Sequence, residues 1–305
     1  MNFKFKNIFS SVLISTRPKQ WTKNLLIYLP LLFSVNESWQ FSEISSFHLL
    51  FIKTSIAYVA FCMVTGAVYI INDLLDINHD TVHPIKSNRP IAAKLISSRA
   101  SMISAIILFA SGIIIAYFIN IKTLGAFLFY IGLMTSYSMF LKHHLYVDVI
   151  SISLGFVIRA LCGALTVEIP VSNWLLICTG FGALLIAISK RRAELITAKN
   201  QPSVQRPILA KYNIDKIDKL IPFLGFTTLV VYAIYAFSAV NLPDNNLMLA
   251  TVPFVGYGIF RYVWIVKINN KGEHPEEIWF KDLHLLSTIT LWVICSLIVL
   301  VFGRN

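Results

Sequence analysis

Residues Thr54–Asp80 read TSIAYVAFCMVTGAVYIINDLLDINHD, and they join a long apolar run to a cluster of acids. The first nineteen residues carry no formal charge, whereas Asp73, Asp76 and Asp80 follow within a short distance. About 20 apolar residues in a helix are enough to cross the hydrocarbon of a bilayer. The stretch therefore predicts a membrane-spanning helix that carries three carboxylates at the membrane boundary.

The whole chain repeats this apolar pattern. Hydrophobic residues make up 56% of its 305 residues and charged residues 13%, about half the charged share of soluble domains. We expect a single all-α integral membrane domain over residues 1–305, with a kinked or short first span because Pro30 and Glu37 interrupt it. The four cysteines lie inside apolar runs, which indicates small buried hydrophobes and neither a disulfide framework nor a zinc site. The nine candidate spans are roughly 24–42, 50–74, 99–120, 122–141, 147–167, 171–190, 219–241, 245–266 and 283–303.

The basic residues predict the orientation of these spans. With the N-terminus inside, 22 of the 26 Lys and Arg residues face the cytoplasm, as the positive-inside rule requires. The cytoplasmic parts are then the N-terminal segment 1–23 and long loops at about 75–98, 191–218 and 267–282. This pattern indicates a multi-pass protein with its chemistry on the cytoplasmic side. The net charge of +11 is mostly a topology signal, so nucleic acid is not an expected partner; whether the chain forms a homo-oligomer is left open.

The acidic cluster has a spacing that suits a divalent cation. On a continuous helix Asp73, Asp76 and Asp80 lie at i, i+3 and i+7 and project from one face. Their mutual repulsion is relieved by a hard cation, and Mg²⁺ typically binds a few carboxylates together with substrate phosphates. A solvated acidic helix end is the alternative, but charges at a membrane boundary are usually functional. The following loop adds Lys86 and Arg89, so the composition is that of a diphosphate site.

These residues resemble a known family. NDLLDINHD, from Asn72 to Asp80, fits the NDxxDxxxD motif of the UbiA superfamily of intramembrane prenyltransferases, and the following Arg89-Pro90 fits as well. The stretch YSMFLK, from Tyr137 to Lys142, is similar to the YSxxLK element of that superfamily. The resemblance implies nine transmembrane helices around a central cavity. It also implies that Mg²⁺ is held by Asp73, Asp76 and Asp80.

A second region departs from ordinary members of the superfamily. Aromatic prenyltransferases carry a second aspartate-rich motif after the sixth span, whereas residues 188–195 read ISKRRAEL here. Lys190, Arg191 and Glu194 share one helical arc, and a pair of cations suits a substrate phosphate. The alternative is a positive-inside anchor, which fits Arg192 best.

The ISKRRAEL departure, together with RPKQWTKN at Arg17–Asn24, resembles the decaprenyl-phosphate phosphoribosyltransferase branch. The resemblance implies Mg²⁺-dependent transfer of 5-phosphoribose from phosphoribosyl pyrophosphate (PRPP) to a polyprenyl phosphate. Pyrophosphate is released, and the lipid product serves cell-envelope polysaccharide synthesis. One alternative is a prenyltransferase that moves a prenyl group from an isoprenyl diphosphate to an aromatic acceptor. A lipid or ion transporter is the third hypothesis.

Several further residues are candidate substrate contacts. Arg159 is a lone cation in the middle of the fifth span, where it is costly without a cavity or a partner, and a substrate phosphate is favoured over a structural ion pair. Lys142 could bind a phosphate or simply extend towards the membrane surface. Arg17, Lys23 and Asn24 precede the first span and could bind substrate or anchor the chain at the membrane surface. The remaining candidates, at the last cytoplasmic loop, are Arg261 and Asp282.

Overall fold

The computed structural model describes residues 8–170, 172–200, 207–239, 242–243, 245–268, 278 and 281–303. Within them the regular structure is helical, apart from two isolated bridges in the segment 35–43. The chain also forms 3-10 turns, of which Pro18–Tyr28 is the longest. In chain order the α-helices are α1 (Ile8–Ser15), α2 (Leu29–Phe33), α3 (Ile44–Leu75), α4 (Ile77–Val82), α5 (Ser98–Ile119), α6 (Ile121–Met139), α7 (Val147–Val167), α8 (Asn173–Asn200), α9 (Ile214–Ser238), α10 (Val252–Ile268) and α11 (Leu283–Phe302).

Seven of the described helices are long and apolar enough to cross a membrane, namely α3, α5, α7, α8, α9, α10 with the 3-10 turn before it, and α11. The prediction of an all-helical membrane protein is confirmed, whereas the count of nine spans is not. The helix α6 has 19 residues and is not among the seven. All four cysteines have free thiols, with Cys62 and Cys162 buried and Cys178 and Cys295 partly buried.

The predicted first span, 24–42, proves to be the short form. The chain leaves the 3-10 segment Pro18–Tyr28, makes only the five residues of α2, and then turns. The indole of Trp39 donates to the carbonyl of Leu31 at 2.9 Å, which folds the end of this segment back on α2. A helix that ends at Phe33 is too short to cross a bilayer alone.

The predicted loop 191–218 is wrong over its first ten residues, because α8 continues to Asn200. The cations at its inner end are neutralised by carboxylates of other helices, so they do not end the helix: Arg191 contacts Asp148 and Arg192 contacts Asp218. The loop 75–98 is mostly irregular, with α4 and a 3-10 turn at Lys86–Asn88 inside it. Most of the loop 267–282, and the first seven residues of the segment 1–23, lie outside the described residues.

The most apolar spans of this bundle are not its most buried ones. The helices α3 and α7 are the most buried spans, whereas the more apolar α5 and α11 are among the most exposed. On α5 large side chains such as Ile106, Ile107 and Phe118 are more than half exposed. An apolar surface of this extent is expected of helices that face lipid, and it makes the chain a multi-pass membrane protein.

Ion pairs join charged residues of several helices on one face. Lys142 after α6 reaches Asp76 after α3, and Arg191 near the end of α8 reaches Asp148 at the start of α7. Arg261 on α10 pairs with Asp282, which begins α11. We call this side of the bundle the motif face, because it carries Asn72–Asp80.

One close approach fixes the 3-10 segment against the centre of the bundle. A Cβ atom at Gly163 of α7 would lie 2.0 Å from the carbonyl oxygen of Ile27, a distance that no side chain can adopt. Glycine at this position allows the backbone of Pro18–Tyr28 to pack directly on α7.

We expect Gly163→Ala to lower the stability of the protein by about 1–3 kcal/mol, because the backbone must move to accept the methyl group. Gly132→Ala in α6 is the matched control, since a Cβ there meets nothing within 4 Å. It should be neutral or stabilising, because alanine favours helix over glycine. Thermal unfolding in detergent measures both variants, and equal melting temperatures would show that the approach at Gly163 is not tight.

Candidate active site

The acidic motif forms a buried carboxylate pair at the end of α3. Asp73 and Asp80 are both buried, and Arg89 lies between them. The Nη1 atom of Arg89 donates to Asp73 Oδ1 at 3.0 Å and to Asp80 Oδ2 at 2.6 Å. Two carboxylate oxygens therefore converge on a single position, which a cation occupies.

A second arginine reaches the same pair from the N-terminal segment. Arg17 donates through Nη2 to Asp73 Oδ1, and its guanidinium lies 4.7 Å from the centre of the Tyr69 ring. Arg17 adopts a left-handed backbone conformation, with φ 54° and ψ 66°, between α1 and Pro18–Tyr28. The predicted proximity of Arg89 to the acidic motif is thus seen in the fold, whereas that of Arg17 was not foreseen from the sequence.

Asp76 departs from the predicted arrangement. The helix α3 ends at Leu75 and α4 begins at Ile77, so Asp76 stands at a break and the three aspartates do not share one continuous helix. Its carboxylate accepts from Lys142 Nζ at 2.6 Å and from Asn72 Nδ2 at 3.2 Å. The break turns Asp76 towards the 3-10 turn after α6, while Asp73 and Asp80 face Arg89.

The loop beyond the motif is organised by a histidine. The Nδ1 atom of His83 accepts from the backbone N–H groups of Ile85 and Lys86, at 3.1 and 3.2 Å. These bonds shape the turn that leads from α4 to Arg89, and the 3-10 turn Lys86–Asn88 ends directly before it. The loop therefore places Arg89 by local hydrogen bonding.

The cationic run on α8 forms a second network, which is structural in the described chain. Arg191 is 2% exposed; it donates to Asp148 Oδ2 at 2.7 Å and pairs with Glu194. The hydroxyl of Tyr212 donates to the other oxygen of Asp148 at 2.5 Å. Burial and this bond to a carboxylate raise the pKa of Tyr212 above its usual value. Of the expected phosphate-binding cations Lys190 and Arg191, Arg191 thus already bonds two carboxylates of the protein.

Arg192 also differs from the expected membrane-surface anchor. It is 7% exposed and bonds Asp218 of α9 at 2.6 Å and the carbonyl oxygen of Val266 at 2.9 Å. Lys190 precedes it on α8 and is partly buried. The bond from Arg192 ties three helices together at the motif face.

Arg159 is a buried cation held by neutral groups. Its guanidinium donates to Asn24 Oδ1 at 2.8 Å, to the carbonyl oxygen of Gly155 at 2.7 Å and to the hydroxyl of Tyr130 at 2.8 Å. Asn24 in turn donates to Thr65 Oγ1 at 3.2 Å. Thr65 precedes Asp73 by eight residues on α3, which is about 12 Å along the helix axis.

Arg159 therefore lies deeper than the acidic pair, and it joins Asn24 of the 3-10 segment to the centre of the bundle. The predicted contact with a substrate phosphate stays a prediction: three of the five N–H donors of Arg159 already bond protein acceptors, all of them neutral. The alternative expectation, a structural ion pair, is not seen either, because the groups that bond Arg159 are neutral.

The remaining candidates lie at the edge of the motif face. Arg261 bonds Asp282 at 2.8 Å and lies 4.7 Å from the Trp264 ring centre. Asp282 also caps α11 by accepting from the N–H of Leu285 at 3.0 Å, and the hydrogen bond from Arg261 lowers the pKa of this carboxyl. Tyr137 is in the last turn of α6, and Lys23 is in Pro18–Tyr28.

Several residues of these networks were missed by the sequence analysis. Asp148 is fully buried and Tyr130 binds the guanidinium of Arg159. Asp148 carries a usable signal, since it is a carboxylate at the start of an apolar span and thus requires a partner. Tyr130 and Tyr212 carry none, because a tyrosine in an apolar run is ordinary.

The acidic pair can bind a small hard cation together with the anionic groups of a substrate. Across the described residues, no group of three or more His, Cys, Asp or Glu side chains is close enough to hold a metal by itself. Asp73 and Asp80 nevertheless offer two converging oxygens, the donor type that Mg²⁺ takes when substrate phosphates complete its shell. Arg17 and Arg89 place positive charge against them, and Lys142 bonds the neighbouring Asp76.

Comparison with known proteins agrees with this site. The model of the UbiA prenyltransferase family matches residues 41–289. The chain is 31% identical over 300 residues to the decaprenyl-phosphate phosphoribosyltransferase of Mycolicibacterium smegmatis, covering 94% of this chain and 92% of that protein. It is 27% identical over 297 residues to the enzyme of that name from Mycobacterium tuberculosis, covering 97% and 96%.

The fold has solved counterparts as well. A UbiA homolog from Archaeoglobus fulgidus, solved with GPP and Mg²⁺, superposes with a TM-score of 0.71 at 20% identity, over 95% of this chain and 99% of that chain. The family match covers most of the sequence and includes the whole acidic motif. The chain thus belongs to the UbiA prenyltransferase family and is a membrane-embedded transferase.

Proposed function

We propose that this protein transfers 5-phosphoribose from PRPP to a polyprenyl phosphate, with Mg²⁺, and releases pyrophosphate. The observation that carries the proposal is the similarity, over nearly the full length, to relatives named decaprenyl-phosphate phosphoribosyltransferase. The relatives are bacterial proteins, and this chain is 27–31% identical to them. The product would be a lipid-linked precursor of cell-envelope polysaccharide.

The acidic pair is the place for the pyrophosphate of PRPP. Asp73 and Asp80 would hold Mg²⁺, with Asp76 close by after the break in the helix. Mg²⁺ bound there would stabilise the negative charge of the departing pyrophosphate. The convergence of both carboxylates on one cationic nitrogen supports this assignment, since a cation already fits between them.

The basic residues around the pair position the phosphates. Arg17 and Arg89 present planar guanidinium groups, which match phosphate oxygens in two-point contacts. Lys142, now bonded to Asp76, would supply a point charge to the phosphates. Together these side chains form the proposed substrate-binding set on the motif face. The set also includes residues close in sequence to the acidic motif, Arg89, Arg17 and Lys142, namely Asn72, Lys86, Lys23 and Tyr137, and it includes Lys190.

No strong general base is needed for this reaction. The second pKa of a phosphate monoester is about 6, so the lipid phosphate is already mostly dianionic at neutral pH. Catalysis then rests on positioning and on fixed positive charge around the leaving group. We assign Arg191 and Arg159 to the scaffold of the site, because they are buried as well as bonded, whereas the side chains of Arg17 and Arg89 are about a quarter exposed. Glu194 joins its partner Arg191, and Arg261 and Asp282 pair with each other.

The alternative function is prenyl transfer from an isoprenyl diphosphate to an aromatic acceptor. It requires a second acidic site opposite the first. The carboxylates available there, Asp148 and Glu194, both bond the buried Arg191, and the consecutive cations Lys190–Arg192 stand where the second acidic motif would be, which argues against a second metal–diphosphate site. Phosphoribosyl transfer therefore remains the preferred function.

The proposed setting is a bacterial inner membrane with the motif face in the cytoplasm. The basic residues favour this orientation, and PRPP as a soluble cytoplasmic metabolite would enter from that side. The polyprenyl chain would lie among the apolar helices. A homo-oligomer is compatible with this arrangement.

One assay tests the function directly. Purified full-length protein in detergent is incubated with Mg²⁺, polyprenyl phosphate and PRPP labelled in the ribose, and the lipid phase is extracted. We expect label in the lipid phase only when Mg²⁺ and polyprenyl phosphate are both present. Absence of label, together with prenylation of an aromatic acceptor by an isoprenyl diphosphate, would favour the alternative.

A further inference from the structure

The acidic pair is already neutral in charge within this chain. Asp73 and Asp80 carry two negative charges, and Arg17 and Arg89 carry two positive charges in contact with them. The carboxylate side chains are only 3% and 4% exposed, and the arginine side chains are 27% and 25% exposed. Water therefore reaches the arginines more readily than the carboxylates.

A divalent cation that binds here alone meets a charge conflict. It must displace guanidinium groups from Asp73, and the displaced groups would then stand unpaired beside a second cation. Like charges within about 4–6 Å of one another disfavour each other, so the released guanidinium and the metal repel. A phosphate group removes the conflict, because its oxygens accept from the released guanidinium and also complete the shell of the metal.

The two arginines differ in what holds them. Arg89 bridges Asp73 and Asp80, so it keeps one carboxylate when the other is taken. Arg17 has Asp73 as its carboxylate partner and lies over the Tyr69 ring. Its side chain is thus the one that a ligand at Asp73 sets free.

The backbone around Arg17 is fixed, so that the exchange needs only a side-chain rotation. Thr16 packs on α3 at Gly66, where an added Cβ would come within 2.8 Å of Thr16 Cβ. The indole of Trp21 donates to the Thr16 carbonyl at 3.3 Å, and Asn24 is tied to Arg159. The left-handed conformation of Arg17 is held by these neighbours on both sides, and its guanidinium remains within reach of a ligand at the acidic pair.

We propose that Arg17 is a resident counter-ion of Asp73, which transfers to a phosphate oxygen when a divalent cation and a diphosphate bind together. The proposal rests on the metal–diphosphate site of the proposed function. Arg17 then weakens binding of the metal alone and strengthens binding of the diphosphate. Binding of the two ligands is then positively coupled, because each removes the partner that the other would leave unpaired.

The test measures binding and needs no turnover. Mn²⁺ serves as the probe, and its free concentration is read from its electron paramagnetic resonance signal with full-length protein in detergent. Arg17→Gln should bind Mn²⁺ alone about tenfold more tightly than the wild type, since a neighbouring cation typically shifts a carboxylate's affinity for positive charge by that order. In a second measurement, retention of radiolabelled pyrophosphate at a fixed free Mn²⁺ concentration should weaken about tenfold.

Two further variants make the result specific. Arg99→Gln, an exposed arginine at the start of α5 on the same face, removes the same charge and should leave both affinities within twofold of the wild type. Arg17→Lys keeps the charge with a single-point donor and should fall between the wild type and Arg17→Gln in both measurements.

The outcomes separate the two proposals. If the wild-type protein retains no pyrophosphate with Mn²⁺ present, the metal–diphosphate site is wrong and the proposed function with it. If the wild type retains pyrophosphate but Arg17→Gln leaves the Mn²⁺ affinity unchanged, or weakens both ligands alike, Arg17 is not an exchanging counter-ion. Opposite shifts of the two affinities support the exchange.

Discussion

Replacement of Asp73 by asparagine is expected to reduce phosphoribosyl transfer by about 100- to 1,000-fold, the usual cost of removing one charge-stabilising group from an active site. Asp73 accepts from both Arg17 and Arg89, and asparagine keeps its shape while it removes the negative charge that would hold Mg²⁺. The rate of label transfer from PRPP into the lipid phase measures the effect. Asp80→Asn should show a loss of similar size, because Asp80 is the other half of the pair.

The matched control is Asp215→Asn, which neutralises an exposed carboxylate in the first turn of α9 on the same face. It should keep activity within about twofold of the wild type, since exposed charges are largely screened. Circular dichroism and thermal unfolding establish that all three variants are folded. Full activity of folded Asp73→Asn would remove the acidic pair from the active site.

The second large effect is on stability. Arg191→Met is expected to destabilise the protein by about 3–5 kcal/mol, because it leaves the fully buried carboxylate of Asp148 without its cation. The hydroxyl of Tyr212 is the remaining bonded partner of that carboxylate. A fall of roughly 10 °C in melting temperature follows, at a few degrees per kcal/mol for a domain of this size.

Arg192→Met is the matched comparison for Arg191→Met, being one residue away on α8. Its partner Asp218 is 32% exposed and keeps contact with water, so the loss should be clearly smaller. The double variant Arg191→Met with Asp148→Leu should recover part of the stability, since it removes both buried charges. An Arg191→Met protein that melts like the wild type but no longer transfers the label would instead make Arg191 a substrate-binding residue.

The sequence was most informative where a charge stands beside an apolar run. The acidic motif, Arg89 and Lys142 were all identified in this way, and the fold brings Arg89 and Lys142 to carboxylates of the motif. Helix periodicity was less reliable at the motif itself, because the prediction of one shared face assumed a continuous helix. The break at Asp76 separates its carboxylate from the other two.

The cationic run at Lys190–Arg192 shows the opposite case. The spacing correctly places Arg191 and Glu194 on one side of a helix, where they pair. Spacing alone could not show that Asp148, more than 40 residues earlier, lies against the same guanidinium. The run was therefore interpreted as a substrate site, whereas its arginines are neutralised within the protein.

By itself the sequence determined the class of this protein, an all-helical membrane protein with its charged groups gathered at one face. Those properties are set by local composition and by the cost of placing charge in lipid. The tertiary structure alone decided which cation neutralises which carboxylate, because ion pairs form between residues far apart in the chain. This pairing places Arg17 and Arg89 at Asp73 and Asp80, and Arg191 and Arg192 at Asp148 and Asp218, while neutral groups hold Arg159.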